Sequence, residues 1–203
     1  MVRACPAAFA LRSRLLGPIF RSREAVVGAG VSWRDLYSLR DGGDVVELSR
    51  GLYQLADSAG TGNVDFVAAC ARAPQGMVCL NSALTHWDLS DEIPTDVHLA
   101  VPEDSHRPTI DYPPTRIHVF RAATFGLGRI QVRQEHGERF WISDRERTVV
   151  DVFRLRHLIG EDLANGALRR YLDDRPKPGR VAELARTLRV WAPLAGAMRV
   201  LQA

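Results

Sequence analysis

The stretch 31–55 constrains the fold more than any other part of this chain, because it encodes a short helix followed directly by a hairpin. Ser32 can accept a hydrogen bond from the backbone N–H three residues on, and Asp35 at that position can answer it, as in a capping box. Gly42-Gly43 follows where such a helix would end, since glycine adopts left-handed backbone conformations at little cost. We therefore predict a helix that begins after Ser32 and ends at this glycine pair.

The two faces of this helix differ in chemistry. Val31, Leu36 and Leu39 recur at helical spacing and are expected to face a core. The opposite face carries hydrogen-bond donors and flat rings in place of the usual lysine and glutamate, namely Trp33, Arg34, Tyr37, Ser38 and Arg40. Such a face is typical of a helix that contacts a partner.

A hairpin is predicted directly after the helix. Apolar residues alternate in period two, as Val46 with Leu48 and as Tyr53 with Leu55, and the break at Ser49-Arg50-Gly51 suits a turn. Arg50 would lie at its tip. We expect Tyr53 to close a small core, and Trp33 could cover that core instead of contacting a partner.

The residues upstream complete a known motif. Ser22 is predicted to cap a short helix that runs through Val27, and Gly28-Ala29-Gly30 forms a compact turn ahead of the second helix. The order of helix, turn, helix and hairpin is that of a winged helix-turn-helix.

In such a domain the second helix enters the major groove of DNA while its flanks contact phosphate. The candidates for base contacts are Ser32, Trp33, Arg34, Tyr37 and Ser38. The candidates for phosphate or minor-groove contacts are Arg21, Arg23 and Arg50, with Ser22 among them. The alternative interpretation is a winged-helix domain that binds protein.

Charge and cysteine content narrow the class of protein. The net charge is +3 and Lys177 is the only lysine, so arginine supplies almost all of the basic charge. Within residues 1–57, eight arginines stand against six acidic residues, which predicts a local basic patch. Cys5, Cys70 and Cys79 form no paired framework, which favours reduced thiols and a cytoplasmic location.

Neither a membrane span nor a secretory signal is expected. No apolar run approaches the ~20 residues that a spanning helix requires. Residues 1–16 lack a long apolar core and a small-residue cleavage site, so Phe9 to Leu16 is interpreted as the first helix of the DNA-binding domain.

The small, polar segment 56–63 predicts a linker between a domain at 1–57 and a second domain at 64–203. The second domain is predicted to be α+β, with a roughly four-stranded mixed sheet and flanking helices. Its strands are expected at 97–101, 116–120, 130–133 and 140–142, with an extended loop at 102–114 and a turn at 135–137. Its helices are expected at 64–73, 77–87, 143–158 (capped by Ser143), 162–172, 181–190 and 194–201.

Few residues point to catalysis. The chain has no Gly-Lys pair for a P-loop, and it has neither the Asp-x-Asp nor the Gly-Ser of a nucleotidyltransferase. Lys177 lies in a proline-rich loop where it cannot complete a nuclease site. We therefore expect no enzymatic activity, no cofactor and no metal; the less favoured alternative is a nuclease that uses the second domain, with the winged unit directing it to DNA.

Two further groups of charged or metal-ligating side chains allow more than one interpretation. Asp96, His98 and His118 could meet on adjacent strands as a metal or acid–base cluster, although exposed or hydrogen-bonded sheet histidines are favoured. A series of arginines along one predicted helix indicates a solvated face or, alternatively, a surface for an acidic partner or nucleic acid: Arg145, Arg147, Arg154 and Arg156.

With these segments in order, the chain resembles the AbiEi family of antitoxins, the DNA-binding halves of type IV toxin–antitoxin systems. The resemblance covers nearly the whole chain. It is carried by Gly30-Val-Ser-Trp-Arg-Asp-Leu-Tyr-Ser-Leu39, Ser49-Arg-Gly-Leu-Tyr-Gln-Leu-Ala-Asp57, Cys79-Leu-Asn-Ser-Ala-Leu84, Val97-His-Leu-Ala-Val-Pro102 and Glu146-Arg-Thr-Val-Val-Asp-Val-Phe-Arg-Leu-Arg156.

The resemblance implies a transcriptional autorepressor that binds inverted repeats in its own promoter through the winged domain. It further implies that the second domain serves antitoxicity toward a nucleotidyltransferase toxin, a role that fits the missing carboxylate pair. A solitary regulator of the same family, without a toxin, would have the same sequence features.

Overall fold

A computed structural model describes residues 6–14, 17–58, 63–134 and 137–201. Their architecture is mixed α+β, with a three-stranded antiparallel sheet in the N-terminal part and a five-stranded mixed sheet in the remainder. The prediction of an α+β chain is confirmed at this level. The division into independent domains at 1–57 and 64–203 stays a prediction, and residues 59–62 of the expected linker lie outside the described residues.

The N-terminal part combines two helices, a π-helical turn and three strands. The elements are α1 (Pro6–Arg14), β1 (Ile19–Arg21), the π-helical turn (Glu24–Gly28), α2 (Trp33–Asp41), β2 (Val45–Ser49) and β3 (Leu52–Leu55). The strand order is β1-β3-β2, so the hairpin also pairs with a short strand that had not been predicted. Leu11, Phe20, Leu36, Leu39 and Tyr53 are buried together between the helices and this sheet.

The outcome of the helix predictions in this part is mixed. The first helix is confirmed over residues 9–14 but begins three residues earlier than predicted, at Pro6, while residues 15 and 16 lie outside the described residues. The expected Ser22-capped α-helix is wrong: residues 24–28 form a π-helical turn whose N-cap is Arg23, without a side-chain cap. Ser22 instead binds the hairpin, since its N–H donates to the Gly51 carbonyl at 3.0 Å.

The hairpin is confirmed, but the expected alternation in β2 is out of phase. Val45 is buried whereas Val46 is 50% exposed. The register shifts between Glu47 and Ser49, as at a β-bulge. A bulge adds a residue to one strand and re-aims the side chains around it, so strict alternation does not give the inward face here.

The larger sheet has the order β6-β5-β4-β8-β7. Its strands are β4 (Met77–Val78), β5 (Val97–Pro102), β6 (Thr115–Phe120), β7 (Arg129–Arg133) and β8 (Arg139–Ser143). The four predicted strands are all present, and the central β4 is an addition. Residues 77 and 78 had been assigned to a helix, but that helix begins only at Leu80. The turn predicted at 135–137 includes residues 135 and 136, which lie outside the described residues.

Helices cover both faces of this sheet. They are α3 (Val64–Arg72), α4 (Leu80–His86), α5 (Ala122–Phe125), α6 (Arg145–Arg154), α7 (Arg156–Ile159), α8 (Glu161–Asp173), α9 (Pro178–Thr187) and α10 (Trp191–Leu201). The N-cap of α6 is Asp144, which accepts from the Arg147 N–H at 2.6 Å, so the expected cap at Ser143 is wrong. The predicted helix 143–158 is also interrupted at Leu155.

The arginine series on α6 does not form one exposed face. Arg147 is fully buried, and its Nε donates to Asp151 at 2.7 Å. Arg154 also binds Asp151, at 3.1 Å. The flanking members, Arg145 and Arg156, pair with Asp174 and Glu161. The sequence analysis interpreted this series as a solvated face or as a surface for an acidic partner or nucleic acid. Both interpretations are wrong for Arg147, because it is buried.

Candidate nucleic-acid interface

Helix α2 is fixed at its N-terminus by its cap. The Ser32 hydroxyl accepts from the Asp35 N–H at 3.1 Å and donates to Oδ2 of Asp35 at 2.7 Å. The predicted cap is thus confirmed, although the Asp35 carboxylate answers the hydroxyl and not the backbone. Leu36 and Leu39 hold the inner face in the core, so the opposite face is directed outward.

The predicted outer face of α2 is exposed. The side chains of Trp33 and Tyr37 are 49% and 43% exposed, and their ring centroids lie 6.0 Å apart. Arg34 and Ser38 are exposed beside them, as is Ser32. Five of the nine candidates therefore share one surface, with the two rings adjacent.

Free and paired guanidinium groups are separated along this surface. Arg40 binds Asp41 at 2.9 Å and Glu47 at 3.3 Å, and the hydrogen bond with Asp41 is the main cause that raises the pKa of Arg40. Within the described part of the chain, Arg34 forms no ion pair. Positive charge is thus available at the N-terminal end of α2 and compensated at its C-terminal end.

The tip of the hairpin is held from three sides. Gly51 has φ +74°, which suits glycine, and its N–H donates to Oε1 of Glu47 at 3.2 Å. Its carbonyl accepts from Ser22, as described above. Nη1 of Arg72, on α3, donates to the Arg50 carbonyl at 2.9 Å. The Arg50 side chain projects from this anchored turn and is exposed.

The remaining candidates lie at the end of β1. Arg21 and Arg23 are exposed, and the Arg21 N–H donates to Oε2 of Glu24 at 2.6 Å. Ser22 is partly buried against the hairpin turn. Among the four candidates for phosphate or minor-groove contacts, Ser22 is therefore the least accessible to DNA. The other three are Arg21, Arg23 and Arg50.

A concave surface lies between α2 and the hairpin and encloses a pocket of about 540 Å³. Several of the candidate residues, from separate elements, line it. Ser22, Trp33, Tyr37 and Arg50 belong to it, whereas Arg21, Arg23, Arg34, Ser32 and Ser38 do not. Tyr53 also lines this surface. Burial, followed by the charge of Glu47, raises the pKa of its hydroxyl.

The sequence analysis missed Arg72 as a support for the hairpin, since no local pattern links it to a turn more than 20 residues away.

The described residues provide neither a metal site nor an ionised thiol that could serve as a nucleophile. Within residues 6–14, 17–58, 63–134 and 137–201, no three His, Cys, Asp or Glu side chains are grouped to hold a metal ion. His98 and His118 are hydrogen-bonded to each other, which agrees with the favoured interpretation, although His98 is buried and not exposed. Asp96 instead pairs with Arg116. Cys70 and Cys79 are free, and burial raises the pKa of both thiols. No helix among the described residues has the length and apolar content to cross a membrane.

Comparisons with known proteins give a likeness of fold. No family model and no curated protein matches the sequence. The chain is similar to a crystal structure of the Rv2827c protein from Mycobacterium tuberculosis, with a TM-score of 0.54 and 15% sequence identity. The match covers 97% of this chain and 82% of the other. At this identity the similarity concerns the arrangement of helices and strands alone.

Proposed function

We propose that the N-terminal part is a winged helix-turn-helix and that the protein is a sequence-specific DNA-binding transcriptional autorepressor. The observation that carries the proposal is the outer face of α2, where Trp33, Arg34, Tyr37 and Ser38 are exposed beside an anchored hairpin with Arg50 at its tip. The order of helix, strand, helical turn, helix and two strands supports the assignment.

The distribution of charge favours one docking direction. Asp41 ends α2, and Asp44 and Glu47 follow it, so the C-terminal end of the helix is acidic. Phosphates would be repelled there and attracted by the unpaired guanidinium groups near the N-terminal end. We infer that the first turns of α2 enter the major groove, with Arg34 nearest to the bases.

The exposed polar side chains divide between base recognition and phosphate contact in this proposal. Arg34 can bind O6 and N7 of guanine in a bidentate manner, and the Ser38 and Tyr37 hydroxyls can donate to base or phosphate acceptors. Arg21, Arg23 and Arg50 would neutralise phosphates on either side of the groove. The buried Tyr53 stacks on Phe20 in the core and is not assigned a DNA contact.

The antitoxin role is proposed on the resemblance to AbiEi alone, as is binding to inverted repeats. The absence of enzymatic activity is proposed on the catalytic motifs that the sequence lacks. Its test is co-expression with the product of the neighbouring reading frame. Relief of growth arrest by the full chain would support the role. A neighbouring product that is harmless by itself would leave the protein as a solitary regulator.

Binding to DNA is tested by fluorescence anisotropy of the full chain with a labelled duplex from upstream of its gene. The control is a duplex of the same length and composition in shuffled order, measured over a range of salt concentrations. Tighter binding to the upstream duplex supports the proposal. Equal affinity for both duplexes contradicts sequence-specific recognition. No binding at moderate salt contradicts DNA binding altogether and favours a protein-binding module.

A further inference from the structure

A cavity of about 560 Å³ lies where β1 and the hairpin meet α3 and the start of β8. It lies apart from the concave surface beside α2. Ile19, Phe20, Val67 and Trp141 give it apolar walls, and both parts of the chain contribute. A cavity with mainly apolar walls and a few polar groups is the usual form of a small-molecule site.

One polar group in this cavity lacks a partner. Glu138 lines the cavity and is only 6% exposed. Neither of its carboxylate oxygens has a hydrogen-bond partner among the described residues. A buried charge without a partner is costly, so a ligand that supplies N–H donors would offset a penalty already present in the fold.

The position of this carboxylate is defined by its packing. A Cβ atom placed on Gly17 would lie 2.8 Å from Cγ and 3.3 Å from Cδ of Glu138, so the side chain rests directly on the Gly17 backbone. Both residues line the cavity. Gly17 therefore gives Glu138 the room it occupies, and a methyl group there would displace it.

The exposed charged side chains that line the cavity are mostly arginines, with Glu24 as the exposed carboxylate among them. Arg21 and Arg139 line the mouth of the cavity, are exposed and form no ion pair with any described residue. A ligand with an ammonium group for Glu138 and a carboxylate for these arginines would match both ends. A divalent metal ion would need several oxygen ligands, and the described residues present no group of three that could hold one.

We propose that this cavity binds a small apolar amine, with a primary ammonium group on Glu138 and an apolar chain against Phe20 and Trp141. The free guanidinium groups at the mouth favour an apolar amino acid over a simple amine. An ammonium group supplies three donors, which suits a carboxylate with two unsatisfied oxygens. The site uses none of the proposed DNA contacts on α2, although Arg21 at its mouth is also one of the proposed phosphate contacts.

Isothermal titration calorimetry of the full chain with three matched probes tests this. L-Leucine carries both charged groups, 3-methylbutylamine lacks the carboxylate, and 4-methylpentanoate lacks the ammonium group. We expect L-leucine to bind most tightly and the acid not to bind. Binding of either ammonium compound that is lost in Glu138→Gln supports the site. Failure of both, or equal binding of the acid, overturns it.

Two variants separate a specific carboxylate from general charge. Gly17→Ala should weaken the amine at least ten-fold by displacing Glu138, whereas Glu24→Gln removes an exposed carboxylate from the same rim and should change affinity less than two-fold. Glu138→Gln should melt no lower than the parent without ligand, because it removes an unpaired buried charge. Equal losses in Glu138→Gln and Glu24→Gln overturn the proposal.

Discussion

Nδ1 of His98 and Nε2 of His118 lie 3.2 Å apart, and the two rings are stacked with centroids 5.0 Å from each other. The residues come from β5 and β6, which run parallel. One ring must donate and the other accept, so the contact requires at least one neutral imidazole. Burial and then the neighbouring Arg116 lower the pKa of His98; burial, then His98 and Arg116, lower the pKa of His118 to about 4.

This pair predicts a loss of stability in mild acid. A histidine whose folded-state pKa lies below its unfolded value takes up its proton more readily in the unfolded chain, so the free energy of unfolding falls as pH decreases. For His118 the decline begins near the unfolded value of 6.5 and continues to about pH 4, with a total of at most about 3 kcal/mol. Urea titrations at intervals across this range measure it.

Two histidine variants test whether the fall in the free energy of unfolding comes from the His98–His118 pair. His118→Asn should flatten the decline between pH 6.5 and 4, whereas His157→Asn, on the exposed surface of α7, should leave it as in the parent. If the two variants follow the same curve, the acid sensitivity does not come from the His98–His118 pair.

The second prediction concerns the buried carboxylate of α6. Asp151 accepts from Arg147 at 2.7 Å and from Arg154 at 3.1 Å, and it is fully buried. Asp151→Ala leaves the buried Arg147 guanidinium uncompensated, which should lower the free energy of unfolding by about 3–5 kcal/mol. Asp174→Ala breaks an exposed pair with Arg145 and should cost less than about 1 kcal/mol. Similar losses in chemical denaturation would contradict this account.

Local signals in the sequence predicted much of the candidate interface. The cap at Ser32, the buried Leu36 and Leu39, and the turn at Gly51 each depend on neighbours within a few residues, and each is present. The outward face of α2 follows from the same helical spacing. Its exposed residues could therefore be named before the structure was known.

Features set by distant contacts were not predictable in this way. β4 is two residues long, and its conformation depends on pairing with β5 and β8 on either side. Arg147 had the pattern of a surface charge, but its burial is determined by the carbonyls of Thr124 and Leu127 and by Asp151. The cavity around Glu138 likewise forms only when β1 meets α3 and β8. No local sequence pattern encodes contacts between elements that are far apart in the chain.

The third prediction tests the cap of α2. Ser32→Ala removes the acceptor for the Asp35 N–H and should lower the free energy of unfolding by about 1 kcal/mol. Ser32→Asn retains a good capping side chain and should lose at most a few tenths of that. Thermal and urea denaturation measure both. A larger loss for the asparagine variant than for alanine would show that Ser32 does not act through the cap.

The fourth prediction separates base recognition from phosphate contact. If Arg34 binds a guanine, Arg34→Ala should cost about 1–3 kcal/mol on the operator and relax preference at a single base pair. Arg50→Ala, at the hairpin tip, should weaken operator and random duplexes alike and reduce the slope of log affinity against log salt by about one unit.

Competition binding with operator variants at several salt concentrations measures both effects. Arg169→Ala, which removes an exposed arginine from α8 in the other part of the chain, is the matched control and should change neither affinity nor slope. Equal losses for Arg34→Ala on operator and random DNA would exclude it as a base reader. If the first turns of α2 enter the groove, Asp41 at the other end of the helix lies away from the phosphates, so Asp41→Asn should change affinity for the operator less than Arg34→Ala does; a larger change would contradict the docking direction.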